Sequence, residues 1–85
     1  MHITFYKSSL CPRCYLVKQH LLGFLSDNAG AKLEEIDILK HPARTWSDGV
    51  RMIPAIKIGA NVLSSVWLGK KDVIDFLTSQ RANLP

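Results

Sequence analysis

Two cysteines three positions apart, Cys11 and Cys14, stand where an extended apolar run gives way to a helix, and that junction constrains the chain more than any other feature. His2 to Tyr6 is rich in β-branched and aromatic residues and ends at the polar turn Lys7-Ser8-Ser9, which reads as a first strand. Pro12 follows at the first position of a helix, where its missing N–H is not needed, with Cys11 just outside as the cap. At about 100° per residue, Cys14, Val17, Leu21, Phe24 and Leu25 share one face as far as Ser26, with Arg13, Gln19, His20 and Gly23 opposite. Cys14 is therefore expected to point inward and Cys11 outward.

The cluster Ser26-Asp27-Asn28-Ala29-Gly30 closes the helix, and Leu33 to Ile38 reads as a second strand joined to the first by a right-handed parallel crossover. Pro42 opens a short helix ending near Gly49. Ala55 to Ile58 and Asn61 to Trp67 form an antiparallel pair around Gly59-Ala60. Val73, Ile74, Phe76 and Leu77 give an apolar face to a terminal helix beginning near Gly69-Lys70. The order is βαβαββα, an α/β domain with a four-stranded mixed sheet flanked by helices. No linker, repeat or low-complexity stretch interrupts residues 1–85, so a single domain with one modest core is expected.

Composition narrows the function. No apolar run approaches the roughly 18 residues of a membrane span, and Met1-His2-Ile3-Thr4 lacks the charged-then-apolar pattern of a secretion signal. Two cysteines so close together make a poor structural staple for a secreted domain. These features point to the cytoplasm and away from a membrane. Eleven basic against seven acidic residues give +4. Lys7, Lys18, Lys32, Lys57, Lys70 and Arg81 are scattered along the sequence, which reads as a solvated basic surface with some attraction for acidic protein partners and not as a nucleic-acid stripe.

Cys11-Pro12-Arg13-Cys14 across a helix start leaves one sulfur exposed and the other one turn below, spaced for an intramolecular disulfide. Unpaired N–H groups and the positive end of the helix dipole favour the thiolate, the nucleophilic form. Arg13 between the sulfurs and Lys7 upstream add positive charge, so Cys11 is expected to titrate below the free-thiol value of about 8.5. Cys11 would attack a disulfide and Cys14 would resolve the mixed disulfide. Neither a metal nor a cofactor is required. The competing readings are half of a zinc site and a pair of ordinary core cysteines; His2, His20 and His41 form no close ligand pair to complete the former. Tyr6, Tyr15, Trp46 and Trp67 read as packing residues, Tyr15 being near enough to Cys14 to border the site. Pro54, directly before Ala55-Ile56-Lys57-Ile58, opens a strand, where a cis peptide is one option and an ordinary strand-opening proline the other.

Together these residues resemble the thioredoxin and glutaredoxin superfamily over nearly the whole chain. Cys11-Pro12-Arg13-Cys14 with Val17-Lys18, and Glu35-Ile36-Asp37-Ile38, are similar to glutaredoxins, which carry an aromatic residue at the place of Arg13. Gly49-Val50-Arg51-Met52-Ile53-Pro54 and the stretch from Asn61 to Leu77 are similar to thioredoxin. The resemblance implies a thioredoxin fold and a cis Pro54 facing the cysteines. It also implies an Ile53 backbone that pairs with an extended substrate, making Ile53 and Pro54 substrate-contact candidates. A favoured thiolate implies a couple more oxidising than thioredoxin's.

The chain departs from the family in three places. Ser64-Ser65-Val66-Trp67 replaces the glycine pair and acidic residues with which glutaredoxins hold glutathione, Lys7 lies four residues before Cys11 instead of three, and thioredoxin's buried acid has no evident counterpart. The expected partners are disulfide-containing proteins and a reductase or dithiol protein as electron source, with glutathione a poor ligand and the protein a monomer. The rival from another class is a metal-binding module in which the cysteine pairs of two copies hold zinc or an iron–sulfur cluster. A third reading is an adaptor with vestigial cysteines.

Overall fold

The computed structural model describes residues 1–64 and 68–82. Its elements are β1 (His2–Lys7), α1 (Pro12–Ser26), β2 (Lys32–Asp37), α2 (Pro42–Ser47), β3 (Ala55–Ile58), β4 (Asn61–Ser64) and α3 (Lys70–Ala82). The sheet order is β2-β1-β3-β4. β1 runs parallel to β2 and antiparallel to β3, and β3 and β4 form the hairpin. The expected order and mixed sheet are thus present. β2 begins and ends one residue earlier than its hydrophobic pattern indicates; Lys32 N–H donates to the Met1 carbonyl at 2.8 Å at the start, and Ile38 N–H still donates to the Lys7 carbonyl at 2.9 Å just past its end. The last strand was expected to reach Trp67; Ser65, Val66 and Trp67 lie outside the described residues.

Side-chain alternation on the strands sorts the core into two layers. Ile3 and Phe5 of β1, with Ile56 and Ile58 of β3, pack against Val17, Leu21 and Phe24 of α1 and Val73 and Leu77 of α3. Tyr6 and Ala55 face the other way and meet Ile36 and Val50. β1 therefore needs apolar or hydrogen-bonded side chains on both faces, and its four central residues are all buried. The second face carries charge as well as apolar contact. Tyr6 Oη donates to Asp48 at 2.5 Å, and Arg44, Lys57, Glu34 and His2 extend the network across the strands. Burial, and then the Asp48 hydrogen bond, push the Tyr6 phenol above its usual range, while the same bond holds the Asp48 carboxyl below the usual carboxylate range.

The end of α2 aims the chain back towards the sheet. Gly49 N–H donates to the Trp46 carbonyl at 3.1 Å and Val50 N–H to the Thr45 carbonyl at 3.2 Å, a Schellman arrangement with Gly49 at φ 87°. Val50 is thereby delivered into the second core layer. A Cβ at Gly49 would meet nothing within 4 Å, so the cost of alanine there is purely conformational. Gly49→Ala is expected to lose about 1–2 kcal/mol in denaturant unfolding. Gly30→Ala, where φ is not positive and space is also open, should change stability far less. Equal losses in the two variants would contradict this account of the turn.

Candidate active site

The site forms where β1 ends. After Lys7 the chain turns through Ser8–Leu10, tied by Cys11 N–H to the Ser8 carbonyl at 3.1 Å and Leu10 N–H to Ser8 Oγ at 3.2 Å. That turn sets Cys11 at the N-cap of α1 in an extended conformation, with Pro12 at the first helical position. Cys11 Sγ accepts a hydrogen bond from Cys14 N–H at 3.2 Å, as a capping oxygen would. Cys11 and Cys14 are joined as a disulfide, their Cα atoms 5.2 Å apart. Cys14 is 1% exposed and packs in the first core layer, whereas Cys11 is only partly buried at its edge. The inward placement expected of Cys14 holds, while Cys11, expected to point outward, is half-buried at the edge of that layer.

Strand register brings Ile53 and Pro54 to the same end of the sheet as the pair. Tyr6 pairs with Ala55, so Pro54 comes level with Lys7 at the end of the sheet from which the cysteine loop departs. The Ile53–Pro54 peptide is cis, Pro54 is fully buried, and Ile53 packs against both core layers. Ser64, opposite Ala55, donates from its hydroxyl to the Met52 carbonyl at 2.8 Å and braces the segment that leads into Pro54. Arg13 is exposed on the first turn of α1.

A cavity of about 160 Å³ lies against the cysteine pair, with Lys7, Tyr15, Lys18 and Glu35 in its walls. Lys7 therefore lines the same cavity as the cysteines despite its four-residue offset. Sequence reasoning left Lys18 and Glu35 without a role at the site, although Lys18 stands one helical turn after Cys14. Its Nζ meets Glu35 Oε1 at 3.2 Å. Glu35 joins the site through the register of the parallel β1–β2 pair, with Phe5 opposite Glu35, and no local pattern announces that register. Larger clefts of about 350 and 400 Å³ lie along Phe24 and Asp27 towards the far end of α1, and neither includes a cysteine.

Two aromatic expectations need correction. Tyr15 and Trp46, read as packing residues, are 63% and 65% exposed. α2 is too short to bury a full face, so the Trp46 ring instead stacks with Arg51, whose Cζ lies 3.4 Å from its centroid. Trp67 lies outside the described residues. Among those residues no group of three or more His, Cys, Asp or Glu side chains converges as a metal site would require, and no helix is long and apolar enough to cross a membrane.

No protein-family profile matches the sequence, and a search of curated proteins returned no match. Solved structures do match. Thioredoxin 1 from Thermosipho africanus superposes with a TM-score of 0.76 at 17% identity, covering 96% of each chain. A thioredoxin from Halobacterium salinarum gives 0.74 at 16% identity over 99% of this chain and 77% of the other. The glutaredoxin-like protein NrdH-redoxin from Escherichia coli, described as having a thioredoxin-like activity profile, gives 0.62 at 22% identity over 88% and 93%.

Proposed function

We propose that this chain, which has the thioredoxin fold, is a thiol–disulfide oxidoreductase that reduces disulfides through Cys11 and Cys14. The observation that carries the reading is the placement of the pair: one sulfur caps the helix start, accepting a backbone N–H at its edge, and the other is buried one turn below within bonding distance. In the reduced protein the Cys11 thiolate attacks one sulfur of a substrate disulfide, forming a Cys11–substrate bond and releasing the other substrate sulfur as a thiolate, which takes up a proton. The Cys14 thiolate then attacks Cys11 Sγ, closing the intramolecular disulfide and releasing the second substrate thiol. Two electrons and two protons pass from the protein to the substrate, and no cofactor is needed. Pro12 leaves the helix start unobstructed, Arg13 and Lys7 supply positive charge, and Pro54 with Ile53 shapes the groove in which an extended substrate pairs with the Ile53 backbone.

The oxidised protein takes its electrons from a reductase or another dithiol protein in this reading, and glutathione serves poorly. Ser64 carries a side chain committed to the Met52 carbonyl where a glutathione site calls for glycine and close backbone approach. Ser65, Val66 and Trp67 complete that part of the argument in sequence alone. Turnover of 2-hydroxyethyl disulfide coupled to a thioredoxin reductase is expected to exceed turnover coupled to glutathione and glutathione reductase by about tenfold or more, a barrier difference near 1.4 kcal/mol. The reverse ratio would sink the choice of electron source, and no turnover in either arm, with no reduction by the chemically reduced protein, would sink the function.

A further inference from the structure

Ion pairing is uneven over this molecule. On the sheet face beside α2, His2, Arg44 and Lys57 are matched by Glu34 and Asp48, and beside the cysteines Lys18 is matched by Glu35. Among the described residues Lys32 at the start of β2, and Lys70 and Arg81 on α3, have no acidic partner, and neither do Lys7, Arg13, Lys40 and Arg51. The last four belong to the cysteine-bearing end of the sheet. Lys7 closes β1, Arg13 lies between the sulfurs, Lys40 is in the turn after β2, and Arg51 precedes Met52-Ile53-Pro54. Arg51 is held in place, donating to the Trp46 and Val50 carbonyls at 2.9 and 3.2 Å over the Trp46 ring. Of the acids at that end, Glu35 is paired with Lys18, and Asp37 is turned to its own loop, accepting Leu39 N–H at 2.9 Å. The same loops carry exposed apolar side chains, Leu10 at 84% and Met52 at 45%.

We infer that this end of the molecule docks a protein segment in which the reacting disulfide is flanked by acidic and apolar residues. The inference rests on the dithiol reading and adds the charge of the partner to it. Unpaired cations at the end of the sheet that bears a half-buried Cys11 raise the encounter rate of an acidic segment, an effect that fades as salt shortens the screening length. The apolar side chains give the segment contact that a simple polyanion would not use. A nucleic acid would meet the cations but finds one face of the Trp46 ring already taken by Arg51.

The test uses the whole chain, reduced beforehand and freed of reductant, in single-turnover reactions. Its substrates are cyclic disulfide peptides identical except for flanking glutamate, serine or lysine, with uncharged 2-hydroxyethyl disulfide as reference. At about 20 mM salt the glutamate peptide should react about tenfold or more faster than the lysine peptide, and at about 0.5 M salt the two should agree within about twofold. Lys40→Glu with Arg51→Glu should slow the glutamate peptide about fivefold or more, while leaving 2-hydroxyethyl disulfide within about twofold. Lys40→Glu alone, at an exposed turn, should give a smaller drop in the same direction if the pair disturbs folding. Equal peptide rates at low salt, or a preference unchanged by these variants, overturns the inference and leaves the dithiol reading in place. So does tight binding of a short oligonucleotide accompanied by no peptide preference. Failure to reduce 2-hydroxyethyl disulfide and every peptide overturns the dithiol reading itself, and the inference with it.

Discussion

Cys11→Ser is expected to lower kcat/KM for disulfide reduction at least about a thousandfold, because a serine hydroxyl at the same helix cap is almost entirely un-ionised near neutral pH and cannot attack sulfur at a useful rate. Cys14→Ser should behave differently. Its first attack is intact, so exposure to a small disulfide should leave Cys11 joined to half of that disulfide, visible as a fixed mass increase. The buried position of Cys14 is what separates the two outcomes: at 1% exposure it is reached by Cys11, 5.2 Å away between Cα atoms, and not by an external disulfide. Retained dithiol turnover in Cys11→Ser, or an unmodified Cys14→Ser after the same exposure, would show that the roles are misassigned.

The second large effect is on stability. Phe5→Ala should destabilise the protein by about 3–5 kcal/mol, as expected for truncating a fully buried aromatic side chain in a close-packed layer. A domain of this length commands only about 4–13 kcal/mol in total, so the variant should be largely unfolded at modest denaturant or temperature. Phe5 lies on the strand at the middle of the core and shares its layer with Val17, Leu21 and Cys14. Partial folding should therefore loosen the helix start that holds the cysteines. Guanidinium unfolding monitored by circular dichroism measures this, and a loss under about 1 kcal/mol would contradict the assignment of Phe5 to the core.

Elements whose information is local were legible in the sequence. The bounds of α1, the N-cap position of Cys11, the inward face from Cys14 to Phe24 and the strand Ala55–Ile58 follow from periodicity, a proline at a helix start and turn residues, and each is observed. What was not legible depends on pairing between distant segments. The parallel register that brings Glu35 to the cysteine cavity is one case. The charge network from His2 to Lys57 is another, since its residues come from four elements, β1, β2, α2 and β3. Trp46 misled for a related reason: an aromatic residue on a short helix reads as packing until the turn after Gly49 sets Arg51 against its ring. Likewise Lys7 and Arg51 look scattered along the chain, and only the strand order shows that they share the end of the sheet with Cys11.

The account turns on one expected asymmetry in the reduced protein, with Cys11, half-buried at the helix cap, as the thiolate and the buried Cys14 as the protected thiol. Alkylation of the fully reduced protein across a pH series, with each cysteine followed separately by peptide mass spectrometry, measures it directly. Cys11 should react at least about tenfold faster than Cys14, with a midpoint below the free-thiol value of about 8.5. If Cys14 reacts first, or both react together with an unshifted midpoint, the cap does not activate Cys11 and the central claim fails.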